Sequence, residues 1–428
     1  MTAKRKRADE EAAPRPRPKP APKTTPRPME ERSARPAGVE MAHAIGIMTG
    51  TSADGIDVAL TRITADGARH RSPLVAFATR PFDDKIRAEI LEAQEGTLAL
   101  RSFLSLGVRL AAVAAEVARE ALAAPAAIGV RVEVVGFHGQ TVFHDPRGER
   151  SGVRFSAQIG EPSVLAAALG VPVVSNFRMA DIQAGGEGAP LVPRFDWNQF
   201  GTSDTDRVLL NLGGISNLTR LHPGASLDGL MAFDCGPANM LLDGIVAAAD
   251  PTARYDAGGE LAARGRADMS VVREFLADPY FNRKPPKSAG REDFGAAYRD
   301  RFLARTEGAA LEDRLRTAVA LVAGAVAKGI ALSSVGGAKL PDEIIVSGGG
   351  AKNRTLLEAL EAAVLGARVV ASDKHGVPGD AKEAMAFAFL AHETWRGRPG
   401  NVPSATGARR EVVLGSITPA PTGHGERP

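Results

Sequence analysis

The residues that could do chemistry are concentrated on glycine-rich connections. GIMTGTSADGIDVAL, from Gly46, sets Thr51, Ser52, Asp54 and Asp57 between two short apolar runs. VLLNLGGISNLTRL, from Val208, repeats the plan, with Gly213, Gly214, Ser216 and Asn217 on its turn. A third cluster, SGGGAKN, carries Gly348, Gly349 and Gly350 and ends at Asn353. Glycine lets backbone N–H groups approach a ligand closely, and hydroxyls add donors. One such turn is an ordinary hairpin. Two, at the starts of two α/β halves and followed by a strand-to-helix glycine cluster, suit phosphates held between facing hairpins with a nucleoside against the third.

Other phosphate and metal machinery is excluded. The chain has no G-x-x-x-x-G-K-[ST] loop and no H-R-D plus D-F-G pair. Its eight histidines show no H-E-x-x-H, and the single Cys235 denies a structural zinc site and an internal disulfide. A small, packed side chain is the reading for Cys235 rather than a nucleophile.

The elements that must position these residues alternate. AIGIMTG with IDVALTRI, and RVLLNL with ISNLTRL, read as hairpins; VEVVGF and VPVVSNF read as short strands. The segment from Leu100 has apolar residues at helical spacing, as do NMLLDGIVAAA, the segment from Leu315 and NRTLLEALEAAV. Polar residues gather where strands end, which is where open α/β sheets bind ligands. The expected fold is therefore a two-domain nucleotide clamp of the actin, Hsp70 and sugar-kinase type, with a cleft between the domains. Residues 43–136 would form the first domain, completed by about 380–417, and residues 137–379 the second.

Residues 1–42 read as a disordered basic, proline-rich tail, and 418–428 as a flexible end. Residues 1–40 hold 8 of the 29 prolines and 11 Lys or Arg against 6 Asp or Glu, a balance of +5. Against an overall +3, the remainder carries −2. Such a segment buries too little apolar surface to offset its chain entropy. KRKR could contact nucleic acid, but a solvated tail is the plainer reading, and the acidic body lacks a basic-aromatic stripe. The longest apolar run, Thr317 to Ala327, is short for a bilayer, and no apolar signal segment opens the sequence. A cytoplasmic protein with neither nucleic-acid nor membrane partners is expected.

Six segments in order, GIMTGTSADGIDVAL, GFHGQTVFH, FRMADIQAGGEGAPLVP, NLGGISNLT, FDCGPANMLLD and NVPSATGARREVVLG, closely resemble the anhydro-N-acetylmuramic acid kinase family of bacterial cell-wall recycling. The resemblance implies ATP-dependent conversion of 1,6-anhydro-N-acetylmuramic acid and water to N-acetylmuramic acid 6-phosphate. It also implies an actin-like ATPase fold and, commonly, a homodimer.

On that resemblance, Gly50, Thr51, Ser52, Ala53, Asp54, Gly55, Ile56 and Asp57 form the first phosphate loop. A carboxylate repels phosphate, so Asp54 and Asp57 would act through Mg²⁺ and its waters; Asp57 could equally stabilise the turn. Asn211, Gly213, Gly214, Ser216 and Asn217 form the second phosphate element. Asp234 is a carboxylate near the nucleotide or the cap of the next helix. Gly348, Gly349, Gly350 and Asn353 face adenosine. Asp181 is the candidate base that takes a proton from water, with a helix cap or turn as its other reading. Arg178, three residues earlier, could hold it ionised or orient oxygens. His138, Gln140 and Glu161 would contact the sugar.

Three positions depart from the family pattern. Asn176 stands where aspartate is usual before Phe177-Arg178, Glu187 where glutamine is usual, and Thr49 where serine is usual. The first two alter charge near Asp181. The alternative to a sugar kinase is an actin-like ATPase switch without a small-molecule acceptor.

Overall fold

The computed structural model describes residues 41–50, 53–66, 69–285, 287–334 and 339–421. Thr51, Ser52 and residues 1–40 of the expected tail lie outside the described residues. The described residues form one compact unit.

That unit contains two larger sheets. In the first lobe the strands are β1 (Met41–Met48), β2 (Gly55–Asp66), β3 (Arg69–Arg71), β4 (Leu74–Pro81), β5 (Val134–Phe137), β6 (Gln140–Asp145), β7 (Phe155–Ile159) and β8 (Val173–Ser175). The second lobe has β9 (Arg207–Leu212), β10 (Ile215–Leu221), β11 (Met231–Pro237), β12 (Glu343–Ser347) and β13 (Arg368–Ala371), and β14 (Ser416–Thr418) returns to the first. Setting aside the short β3, the first sheet runs β4-β2-β1-β5-β8-β14 and the second β11-β10-β9-β12-β13. The same order is built twice. In each lobe a meander of three antiparallel strands is extended by two parallel ones, β5 and β8 or β12 and β13. This duplicated order around one cleft is the actin-like architecture expected from the sequence.

The two hairpins read from the sequence are β1–β2 and β9–β10. The division read at residue 137 differs from the sheets: β8 pairs with β5, so the first sheet continues to Ser175 and the second begins at Arg207. A three-residue strand is too short for period-2 alternation to reveal its partner. The first strand also begins at Met41, inside the expected tail, and β14 reaches Thr418.

Helix Lys382–Trp395 lies directly on the first sheet, and two glycines make room for it. A Cβ on Gly46 would stand 1.8 Å from Ala384 O, and one on Gly136 2.3 Å from Phe387 O. These glycines are register partners on β1 and β5. Their bare backbones seat the helix and bring its first turn to the cleft. On the other face lies helix Leu100–Ala123, which buries Leu106, Leu110, Ala114 and Ala118. Helix Leu311–Leu332 is long and apolar enough to cross a bilayer, contrary to the shorter run counted from the sequence. It is a core helix here, burying Leu315, Val319, Val322 and Val326 in the second lobe.

Candidate active site

A cavity of about 360 Å³ lies between the lobes. The first lobe contributes Asp57, Arg178, Glu187, Asp380, Lys382 and Glu383 to its lining, and the second Asn211, Gly213, Asn217, Asp234, Lys287 and Gly348. Asp57 from the first expected phosphate loop, Asn211, Gly213 and Asn217 from the second element and Gly348 from the cluster after β12 thus line one space.

Within the first turn, the Ala53 N–H donates to Gly50 O at 3.1 Å, with Ala53 buried at φ 58°. Asp57 lines the cavity and accepts from Thr79 Oγ1 at 2.7 Å. Burial, followed by the repulsion of Asp380 and Asp54, outweighs that hydrogen bond and raises its pKa. Asp54 is exposed, and Ile56 is core rather than lining. In the second turn, Gly213 O and Gly214 O accept from Asn239 and Met240 N–H groups at 3.0 Å, tying the turn to helix Asn239–Ala249. Ser216 is turned inward and donates to Gly236 O at 3.0 Å. Gly348 has φ 81°, and a Cβ there would meet Asn211 Oδ1 at 2.5 Å, so only glycine fits beside this cavity residue. Gly349 and Gly350 continue into a 3-10 turn behind the lining. Asn353 caps helix Arg354–Ala363, accepting from Leu356 N at 2.9 Å.

Asp181 sits on the short helix Met179–Gln183 and is fully buried. Its Oδ1 accepts from Asn401 Nδ2 and Thr406 Oγ1, both at 2.7 Å, and its Oδ2 from Gly188 N at 2.8 Å. Thr406 lines the cavity; Asp181 stands behind it. Arg178 donates to Gly188 O at 2.8 Å and lies 2.8 Å from His138 Nε2. His138 is buried, its Nδ1 2.7 Å from Gly139 O. Burial and then the Arg178 charge lower its pKa well below the usual histidine value, so a neutral ring donates to Gly139 and accepts from Arg178. Burial likewise lowers Arg178 to about 10, against the favourable charges of Glu383 and Asp181.

The residues expected to contact the sugar lie in different settings. Arg178 reaches the cavity, and His138 orients it. Gln140 is buried and donates to Gly50 O at 3.1 Å, so it braces the first glycine turn. Glu161 caps helix Pro162–Leu169, accepting from Ser163 N at 3.1 Å, and is exposed. Neither residue is part of the cavity lining, but Gln140 Oε1 has no hydrogen-bond partner among the described residues and so keeps an acceptor for a ligand.

The departures have local reasons. Asn176 adopts φ 55°, a left-handed conformation that asparagine tolerates better than most residues. Glu187 accepts from Arg147 Nε at 2.9 Å and, across the cleft, from Ser288 Oγ at 2.7 Å.

Several cavity residues escaped the sequence reading. Glu383 lies in the first turn of the helix seated on Gly46, with its pKa raised mainly by burial. Lys382 is 3.0 Å from Asp196, a buried pair at the cleft wall. Lys287 is 4% exposed. Asp234, which the sequence does single out as a carboxylate near the nucleotide or a helix cap, lines the same cavity; it accepts from Ala289 N at 2.8 Å, and burial raises it to about 7. The signals for the first two lay inside KEAMAFAFLAHETW, where charge at the head of an apolar helix looks like an ordinary helix start.

A family model described as anhydro-N-acetylmuramic acid kinase matches residues 42–420. Curated proteins of that name align along nearly their full lengths. The one from Salinibacter ruber is 44% identical over 87% of this chain and 95% of its own. That from Bacillus cereus is 37% identical over 87% and 98%, and that from Caldanaerobacter subterraneus 35% over 87% and 96%. With that match spanning both lobes and the cleft between them, the chain belongs to the anhydro-N-acetylmuramic acid kinase family.

Proposed function

We infer that this kinase converts 1,6-anhydro-N-acetylmuramic acid, ATP and water to N-acetylmuramic acid 6-phosphate and ADP, a step of cell-wall recycling. The observation that supports this reading is one cavity lined by Asp57, Asn211, Gly213, Asn217, Gly348, Arg178 and Thr406, with Asp181 directly behind Thr406. A switch ATPase would have no use for such a polar pocket beside its phosphate turns.

In this reading Asp181 is the base. The Thr406 hydroxyl, between Asp181 and the cavity, passes its proton to the carboxylate as it takes one from water, and the water oxygen attacks the anomeric carbon. The C1–O6 bond breaks, and O6 takes the γ-phosphoryl group as the bond to ADP breaks. Phosphorus captures the developing alkoxide, so no separate acid is needed. Arg178, held by His138 and Gly188, orients ligand oxygens. Asn211, Gly213, Asn217 and Gly348 cradle the nucleotide, while Gln140 and Ser216 keep the turns in shape. Closure of the lobes would exclude bulk water and align the groups.

The cavity lining suits a cation with the nucleotide, because its carboxylates Asp57, Glu187, Asp196, Asp234, Asp380 and Glu383 outnumber Arg178, Lys287 and Lys382. Asp57, with Asp54 beside it, would hold Mg²⁺ through water, consistent with the few protein ligands this ion takes. The ion would offset phosphate charge. A cytoplasmic homodimer, acting without nucleic-acid or membrane partners, completes the proposal.

The test is ATP consumption by the purified chain with and without the anhydro-sugar. Sugar-dependent ADP release with stoichiometric sugar 6-phosphate is expected; equal ADP release without sugar would favour the switch ATPase.

A further inference from the structure

Three cations line the cavity, and two are already engaged. Arg178 is bound to Gly188 O and His138, and Lys382 is paired with Asp196. Lys287 differs. Its ammonium donates to Tyr280 O at 3.1 Å and lies over the rings of Tyr280, 4.5 Å from the centroid, and Phe233, at 5.5 Å. It is paired with no carboxylate among the described residues. An ammonium has three donors, and a buried charge without a counter-ion is costly. Burial accordingly lowers its pKa, with the Cys235 thiol and Asp234 opposing. A charge kept at such cost on a cavity wall is suited to an anion supplied by a ligand.

Its neighbours indicate which ligand. Ser288, the next residue, donates to Glu187 across the cleft, and Glu187 N donates to Thr406 O at 2.8 Å. Lys287 therefore stands where the second lobe meets the loop that holds Asp181, the side assigned above to the sugar. We propose that Lys287 recognises the carboxylate of the sugar substrate's lactyl ether and so selects an acidic anhydro-sugar over a neutral one. This rests on the sugar-kinase reading. The nucleotide's γ-phosphate is the competing anion, and the test separates the two.

Binding is measured by calorimetry for 1,6-anhydro-N-acetylmuramic acid, for the lactyl-free 1,6-anhydro-N-acetylglucosamine and for a non-hydrolysable ATP analogue. The wild-type chain should bind the acidic sugar roughly 10- to 100-fold more tightly than the neutral one, the range for a hydrogen bond to a charged group. Lys287→Met should abolish that preference and leave neutral-sugar and ATP-analogue binding within about twofold; Lys287→Arg should restore part of it. Equal binding of the two sugars by wild type overturns the proposal without any variant. So does a preference that survives Lys287→Met, or a loss confined to the ATP analogue, which would assign Lys287 to phosphate. Failure of wild type to bind either sugar would instead overturn the sugar-kinase reading.

Discussion

The Thr406 hydroxyl donates to Asp181 Oδ1 at 2.7 Å, and of the two only Thr406 faces the cavity. Together with Asn401 and the Gly188 N–H it fixes a fully buried carboxylate on three donors. This ties the chain's last segments to the loop that departs from the family pattern at Glu187. Asp181 is thus both a candidate base and a fastening, and tests of the first role must control for the second.

Asp181→Asn is expected to lower turnover by about 10² to 10⁴, the range for a general base, with affinity for ATP changed by less than about twofold. An amide nitrogen would face Gly188 N–H or the Thr406 and Asn401 donors, so a lower melting temperature should accompany the loss. Thr406→Val removes one donor and keeps the shape; it should reproduce the melting loss, with Thr406→Ser reversing it. Wild-type turnover in a folded Asp181→Asn chain would remove Asp181 from the chemistry.

Glu383 is one of the carboxylates lining the cavity and feels the Lys382 and Arg178 charges. Glu383→Gln should reduce turnover at least tenfold while the fold persists, because its helix is held by Gly46 and Gly136 contacts rather than by this side chain. Unchanged steady-state kinetics would make Glu383 a bystander.

Asp234 supplies a pH signature. Its folded-state pKa of about 7 lies above the ordinary carboxylate value of 3.8. Between pH 4 and 7 the unfolded chain has lost a proton that the folded chain retains, so the contribution to stability falls as pH rises through this window. Asp234→Asn removes that contribution and keeps an oxygen for the Ala289 N–H. The variant should gain roughly 2–4 kcal/mol relative to wild type between pH 4 and pH 8. Parallel curves in denaturant titrations at the two pH values would refute the assignment.

The family match begins at residue 42 and the first strand at Met41. Removing residues 1–38 should therefore leave kcat and KM within about twofold. A tenfold loss would make the basic segment part of the catalytic unit.

Much of this was legible in the sequence because the hairpin turns announce themselves. Glycine and asparagine at Gly213, Gly214 and Asn217, flanked by alternating apolar residues, fix both the turn and what lines it. The resemblance supplied Asp181, and its neighbours in the loop followed. Gln140 and Glu161 read as sugar contacts from their strand ends; that Gln140 also donates to Gly50 O and Glu161 accepts from Ser163 N was not legible, because both bonds depend on where the backbone passes. Glu383, Lys287 and the β8–β5 pairing were not legible, since each depends on a long-range neighbour: a helix seated on bare glycines, two aromatic rings, a strand of three residues.

Isotope placement shows whether water attacks the sugar or the phosphorus. A single turnover in ¹⁸O-water, sampled early against an unlabelled-product control for exchange of the free anomeric hydroxyl, should put the label on C1 of the sugar. The phosphate ester should carry none, because its bridging oxygen is the original O6 and the rest come from ATP. Label in free phosphate, with the anhydro bridge intact, would contradict the account.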